Sequence, residues 1–166
     1  MKIIKIPQIQ INSRLILAFL FSSSFFALFL AYISQYVFGL QPCALCHYQR
    51  IPFFLVIIVT LLSFFIKEEK WQKIIIKIAL AILIFNVFLA FYHVGVEQKI
   101  FIFDKCASLI PNLDNLEALK KELLRAKSIR CDEPQFILFG ISMAGWNVIY
   151  CASVVVFAIF ALKKIK

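Results

Sequence analysis

Four long apolar runs divide the chain, and each is free or nearly free of charged residues. An α-helix rises about 1.5 Å per residue, so about 20 apolar residues cross a hydrocarbon core about 30 Å thick. The runs therefore predict membrane-spanning helices at about residues 15–38, 45–66, 74–94 and 144–162. The first run is longer than the apolar core of a signal peptide, which has about 7–15 residues, so we expect it to be retained as a span.

The polar segments between these runs complete the predicted topology. Residues 1–14, 67–73 and 163–166 fall on one side of the membrane, and residues 39–44 and 95–143 fall on the other. Within the long segment, leucines recur at helical spacing between residues 114 and 127, which predicts a short amphipathic helix. The expected fold is an all-α membrane protein, a bundle of four transmembrane helices with one long loop that contains this helix.

The distribution of basic residues indicates how the bundle is oriented. Ten of the 18 Lys and Arg residues lie in residues 1–14, 67–77 and 163–166, counting Lys77 at the start of the third run. Because cytoplasmic loops of membrane proteins are enriched in Lys and Arg, we expect both termini in the cytoplasm of a bacterium and the long loop in the periplasm. The chain would then be a multi-pass protein of the bacterial inner membrane.

Composition agrees with a membrane protein and argues against other classes. The chain is 63% hydrophobic and contains 19 Phe, which is not the composition of a soluble domain. Its net charge of +9 suits cytoplasmic flanks and lipid headgroups. No stretch interleaves basic and aromatic residues as nucleic-acid-binding surfaces do, so we expect no nucleic acid partner.

The segment that carries candidate chemistry is Gln-Pro-Cys-Ala-Leu-Cys-His-Tyr-Gln-Arg, residues 41–50. Pro42 suits the first turn of a helix, where its missing N–H has no partner to lose. A helix that begins there places Cys43, either Cys46 or His47, and Arg50 along one face. A thiol at a helix N-terminus beside a cation has a lowered pKa and therefore more of the reactive thiolate. These residues predict a redox or ligand site at the membrane surface.

Several alternatives remain open for this segment. The two cysteines can be buried structural residues, and Cys43-x-x-Cys46 followed by His47 is also the pattern of covalent haem attachment. A haem leaves Cys106 and Cys131 without a role, and their separation of 25 residues lacks the close spacing of most structural zinc sites.

The third alternative is a pair of disulfides that exchange with each other. It uses the four cysteines that lie outside the hydrocarbon, on the side where disulfides persist. Arg50 and His93 are expected on the same face, at a depth that a lipid-soluble electron acceptor can reach. Cys151 lies inside the last span and is expected to be an inert packing residue, and Asn86 is expected to face other helices.

The whole set of features resembles the DsbB-type membrane proteins, which reoxidise the periplasmic disulfide donor DsbA. The resemblance covers nearly the whole chain and rests on the order of its motifs. These are four spans, Pro42-Cys43-Ala44-Leu45-Cys46 with Arg50 at the start of the second, His93 at the end of the third, and Cys106 and Cys131 in the long loop.

The resemblance implies two redox-active disulfides, Cys43–Cys46 and Cys106–Cys131. A DsbA-like thioredoxin-fold partner would attack Cys106, and the freed Cys131 would attack Cys43. Cys46 would then leave as a thiolate facing a quinone of the membrane pool, ubiquinone or menaquinone.

The resemblance also implies a binding site for that quinone. Arg50, Cys46 and His93 are the residues expected to bind it. His47 does not belong to the family pattern, and it is a further candidate for cofactor binding because it directly follows the pair.

Two other functions are compatible with these residues. Vitamin K epoxide reductase-like proteins also combine loop cysteines with a membrane Cys-x-x-Cys, but in them that motif usually follows the loop pair, whereas here it precedes the pair. The other is a membrane c-type haem protein that attaches haem through Cys43, Cys46 and His47.

Overall fold

The structure is a computed structural model, and it describes residues 12–102, 131–134 and 136–165. The basic lead of residues 1–11, Cys106 and the amphipathic helix predicted over residues 114–127 lie outside the described residues. The predictions about them stay predictions.

Four long helices form the described fold, and all four are long and apolar enough to cross a membrane. In chain order they are α1 (Ser13–Tyr36), α2 (Ala44–Ser63), α3 (Glu69–Glu97) and α4 (Met143–Lys164). The expected all-α bundle of four membrane helices is therefore confirmed.

Helix α3 is central to the packing, since it packs extensively against both α2 and α4 and also contacts α1. Small side chains lie where the helices approach each other, and Ala79, Ala90 and Ala158 are fully buried. Small residues allow helix backbones to approach closely, which is how helices associate in lipid. The large aromatic side chains of α3, such as Phe85 and Phe88, point outward instead, as expected of a surface that lipid covers.

Polar side chains also connect the helices inside the apolar core. Asn86 of α3 is fully buried, and its Nδ2 lies 3.4 Å from Sγ of Cys151 on α4. Tyr150 of α4 donates a hydrogen bond of 2.8 Å to the carbonyl oxygen of Ser23 on α1. The predicted contact of Asn86 with another helix is thus confirmed, as is the burial of Cys151.

A short antiparallel hairpin that the sequence pattern did not predict precedes α4. Its strands are β1 (Ile137–Leu138) and β2 (Ile141–Ser142). Both turn residues have positive φ, 52° at Phe139 and 79° at Gly140, as the tightest hairpin turns require. Ser142 then caps α4 by accepting a hydrogen bond of 3.1 Å from the backbone N–H of Gly145. The hairpin therefore leads the chain from the loop directly into the last helix.

Candidate active site

Cys43 caps the N-terminus of α2, which differs from the expected start of this helix. The helix begins at Ala44, so Pro42 lies before it and not in its first turn. Cys43 has extended backbone angles, and its sulfur accepts a hydrogen bond of 3.4 Å from the N–H of Cys46. The prediction for Pro42 was wrong because the cysteine sulfur itself supplies the acceptor that a cap position needs.

The two cysteines of the motif are free thiols that contact each other. Their sulfurs are 3.1 Å apart, and Cys43 is only 6% exposed. A hydrogen bond with the Cys46 thiol is the main cause that lowers the pKa of Cys43; the His93 contact adds to this effect, and burial opposes it. Cys43 is thus the member of the pair that the surroundings favour as a thiolate.

His93 lies directly beside this pair, although it is 50 residues away in the sequence. Its Nε2 is 3.5 Å from Sγ of Cys43 and 3.9 Å from Oε1 of Glu97. On the other side of the ring, Gln49 Nε2 is 2.8 Å from Nδ1. The ring is 3% exposed, so its two nitrogens meet protein groups and not bulk water.

Arg50 is held in place by α1. Its Nη1 donates a hydrogen bond of 2.7 Å to Oε1 of Gln35, and its guanidinium carbon lies 4.9 Å from the centre of the Tyr32 ring. A cation over an aromatic face is attracted by the negative charge of that face. The two contacts fix the direction of the guanidinium next to Cys46.

A cavity of about 430 Å³ opens beside these residues. Cys43, Cys46, Arg50 and His93 all line it. Most of the remaining wall is apolar and comes from α1, α4 and the segment just before α4, including Phe26, Leu30, Pro134, Phe136 and Trp146. The cavity therefore combines a large apolar wall with thiols, one cation and one imidazole.

Cys131 is brought to the same end of the bundle. It is disulfide-bonded and 2% exposed, and it belongs to a small buried cluster with Cys43, Leu45 and Val96. Cys106, its predicted partner, lies outside the described residues, so the pairing and the role of Cys106 stay predictions. Three of the four cysteines predicted to be catalytic are thus close together.

His47 is placed differently from the other predicted residues. Its side chain is exposed, and it does not line the cavity.

The donor atoms that do converge are Sγ of Cys43, Sγ of Cys46 and a ring nitrogen of His93, all within 4.8 Å of one another. A soft metal ion can use such a set, but a closed structural zinc site takes four ligands. His93, and not His47, is therefore the histidine beside the thiols.

Four residues that contact the site had not been predicted from the sequence. They are Gln35, which holds Arg50, and Gln49, Glu97 and Asn147, which surround His93 directly or through one intermediate. The signal was present, because each is a polar residue within or beside an apolar run. Such residues usually face the interior of a helix bundle.

Comparison with known proteins identifies the family. The family model described as disulfide bond formation protein DsbB matches residues 13–161. An uncharacterized protein of Rickettsia prowazekii (strain Madrid E) is 30% identical over 142 residues, which cover 83% of this chain and 81% of that protein. No solved structure matches the chain. The match spans all four helices and the buried thiol pair, so the chain belongs to the DsbB family and is a multi-pass membrane disulfide oxidoreductase.

Proposed function

We propose that this protein reoxidises a DsbA-like thioredoxin-fold protein in the periplasm and passes the electrons to a membrane quinone, ubiquinone or menaquinone. The observation that carries the proposal is the cavity of about 430 Å³, whose apolar wall meets Cys46 and Arg50. Ligand sites commonly have volumes of about 300–1,000 Å³, mostly apolar walls and a few convergent polar groups. A quinone headgroup with its apolar tail fits that description.

The first steps are two thiol–disulfide exchanges. The partner's thiolate attacks Cys106, which breaks the Cys106–Cys131 bond and leaves Cys131 as a thiolate. Cys131 attacks Sγ of Cys43, so a Cys131–Cys43 bond forms and Cys46 leaves as a thiolate. The second thiolate of the partner resolves its bond to Cys106, and Cys106 then attacks Cys131 and releases Cys43. The partner ends as a disulfide, and Cys43 and Cys46 end as thiols.

The buried cluster supports the second exchange. Cys131 and Cys43 belong to the same cluster, so the attacking and attacked sulfurs need little movement to meet. Exposure of only 2% and 6% keeps water and other thiols away from this exchange. The cluster thus favours transfer within the protein over leakage to other thiols.

Three side chains are proposed to hold the quinone: Arg50, His93 and Cys46. A bound quinone would supply an acceptor for two electrons and two protons. Arg50 is oriented by Gln35 and Tyr32, so its charge is already in place and needs no reorganisation when negative charge develops in the cavity. His93 can hold a proton at Nε2, between Cys43 and the cavity.

We also propose that the cysteine pairs face the periplasm and that both termini are cytoplasmic. The N-terminal end of α2, the C-terminal end of α3 and the N-terminal end of α4 meet at the site, so one side of the membrane serves all of them. The charge distribution of the sequence supports this orientation. Labelling of single-cysteine variants in intact cells with an impermeant maleimide is expected to modify a cysteine at position 41, which is exposed and two residues before Cys43, and a cysteine at position 106 from the same, outer side.

Trapping and turnover test the proposal. When the second cysteine of the partner is replaced by Ser, no partner thiolate can resolve its bond to Cys106, so a mixed disulfide through Cys106 should accumulate with a periplasmic thioredoxin-fold protein. Purified protein should reduce a soluble quinone analogue when given the reduced partner, and Cys46→Ser should abolish this turnover. The control Ser153→Ala removes an exposed hydroxyl that bonds only its own helix, and it should keep full turnover. Turnover that survives Cys46→Ser would disprove the proposed route.

A further inference from the structure

A row of hydrogen bonds runs through the bundle toward the thiols and joins α2, α3 and α4. It starts at Asn86, whose Nδ2 donates to Sγ of Cys151 at 3.4 Å, and the Cys151 thiol donates to Oδ1 of Asn147 at 3.3 Å. Asn147 Nδ2 then donates to Oε1 of Gln49 at 2.7 Å. Gln49 Nε2 is 2.8 Å from Nδ1 of His93, which ends the row.

Every hydrogen bond in this row runs from donor to acceptor toward His93. This order determines which nitrogen of His93 carries the proton. Asn147 donates to the oxygen of the Gln49 side chain, so the NH₂ group of Gln49 is the group that faces His93. An amide NH₂ group can only donate, so Nδ1 of His93 must accept. A neutral imidazole that accepts at one nitrogen carries its proton at the other, which is Nε2.

The opposite side of the ring suits the same arrangement when Cys43 is a thiolate. Nε2 faces two acceptors, Sγ of Cys43 at 3.5 Å and Oε1 of Glu97 at 3.9 Å. Glu97 is itself held by a hydrogen bond from the hydroxyl of Ser142 at the start of α4. A donor on one side of the ring and acceptors on the other both place the proton on Nε2.

We propose that Gln49, held by Asn147, is a positioning residue that keeps the His93 proton on Nε2 and directed at Cys43 Sγ. Gln49 is 6% exposed, and both ends of its amide have partners in the row. A buried amide without partners would be costly, so these two contacts fix the orientation of the side chain.

The consequence for the thiols is a donor aimed at one sulfur. A hydrogen bond to a thiolate stabilises the reduced pair relative to the disulfide, which makes the pair more oxidising. Among the described residues, the other charged or titratable groups of this site are Cys46, Arg50, Glu97, Tyr92 and the disulfide-bonded Cys131, and replacing Gln49 leaves all of them in place. This inference rests on the proposed function, but its first test needs neither the partner protein nor a quinone.

Nitrogen NMR of the histidine ring is the direct test. The chain has two histidines, so His47→Gln leaves His93 as the single one. In the reduced, ¹⁵N-labelled full chain in detergent at mildly alkaline pH, Nε2 should be protonated and Nδ1 bare. A proton on Nδ1 in this protein would overturn the proposal, and this result does not depend on the folding of any Gln49 variant.

The effect of Gln49 is then measured with a matched control. Gln49→Leu in the single-histidine protein should give a mixture of the two ring forms. Gln72→Leu should not, because Gln72 is also a buried glutamine, 3% exposed, and it donates to the Ile66 carbonyl at the other end of the bundle. A ring form that is unchanged by Gln49→Leu would show that Gln49 does not position His93.

A redox titration tests the consequence for the thiols. In a background with Cys106→Ser and Cys131→Ser, the Cys43–Cys46 pair is equilibrated with glutathione of known composition. Gln49→Leu should shift the equilibrium about tenfold toward the disulfide, which is about 30 mV for a two-electron couple. Gln72→Leu should leave it unchanged, and Asn147→Ala should shift it in the same direction as Gln49→Leu. An unchanged constant in Gln49→Leu would contradict the proposed link between Gln49 and the thiols.

Discussion

Cys131 and Cys43 lie in one buried apolar cluster, although 88 residues separate them in the sequence. Cys131 follows the long loop and is disulfide-bonded, whereas Cys43 is a free thiol at the start of α2. Leu45 and Val96 complete the cluster and shield both sulfurs from water. The sulfur that comes from the loop thus lies in the same apolar environment as the sulfur at the helix terminus.

This relationship predicts a specific cross-link. In a protein with Cys46→Ser and Cys106→Ser, mild oxidation should join Cys43 to Cys131, because the two residues share the cluster and the substitutions remove the cysteines with which each is proposed to pair. Peptide mapping by mass spectrometry without reduction should identify this bond.

The matched variant has Cys43→Ser and Cys106→Ser. Cys46 lies only at the edge of the cluster, so its bond to Cys131 should form more slowly. Equal rates for the two variants would show that the cluster does not select Cys43.

The lowered pKa of Cys43 predicts its reactivity at acid pH. In the reduced protein with Cys106→Ser and Cys131→Ser, iodoacetamide should modify Cys43 before Cys46 at about pH 6, well below the usual thiol pKa of about 8.5. A pKa that is lower in the folded state adds stability above the unfolded value, and this stability is lost as pH falls through the folded value. The reduced protein should therefore become less stable on acidification.

The cause of this shift can be tested separately. Cys46→Ala removes the hydrogen bond that contributes most to it, so the pKa of Cys43 should rise toward its ordinary range. The rate of alkylation at about pH 6 should then fall about tenfold or more, because a tenfold loss of thiolate follows each unit of pKa. Faster modification of Cys46 than of Cys43 in the parent protein would contradict the assignment of the thiolate.

The contact of Gln35 with Arg50 predicts an effect on the proposed reduction of a quinone. Gln35→Leu removes the acceptor that orients the guanidinium, so the KM for a quinone analogue should rise several-fold while the partner is still oxidised. Arg50→Met removes the charge itself and should lower kcat/KM by about 10²-fold, as loss of one preorganised donor does. Steady-state rates at varied quinone concentration measure both effects.

A serine on the same helix provides the control for Gln35. Ser22 is exposed and donates only to the Ala18 carbonyl, so Ser22→Ala should leave the KM unchanged. If Gln35→Leu behaves like Ser22→Ala, Gln35 does not position Arg50 for quinone binding.

Two residues of α3 should differ strongly in their contribution to stability. Leu83 is 1% exposed in the core, whereas Phe85 is 63% exposed on the outer face. Leu83→Ala should lower the free energy of unfolding by about 2–5 kcal/mol, because it leaves a cavity among packed helices. Phe85→Ala should change it far less, although it removes more atoms. Thermal unfolding in the same detergent compares them, and similar losses would contradict the observed packing.

The sequence was sufficient to predict the four helices and the thiol pair. Each apolar run is long enough to be read without knowledge of the packing, and Cys43, Cys46 and Arg50 lie within three turns of one helix. The predicted topology placed His93 on the same face of the membrane as the thiols, but its contact with Cys43 could not be predicted, because no spacing rule connects residues 50 positions apart. The start of α2 was misplaced, because proline and cysteine can both occupy the positions around a helix N-terminus.

The polar contacts behind the site could not be predicted from the sequence. Gln49, Asn147 and Gln35 are uncharged, and each has several possible neighbours in a bundle of four helices. Which of them meet depends on the rotation of each helix about its axis. That rotation is set by the packing of many apolar side chains and not by any local motif.

The contacts of Arg50 with Gln35 and Tyr32 have a consequence for the first helix. A basic segment followed by an apolar run resembles a cleavable signal peptide. Here α1 supplies Gln35 and Tyr32, which contact Arg50, and one wall of the cavity next to the thiols. A version that starts after residue 40 would still contain every cysteine, but it would lack Gln35 and Tyr32, the two α1 residues that orient the guanidinium of Arg50.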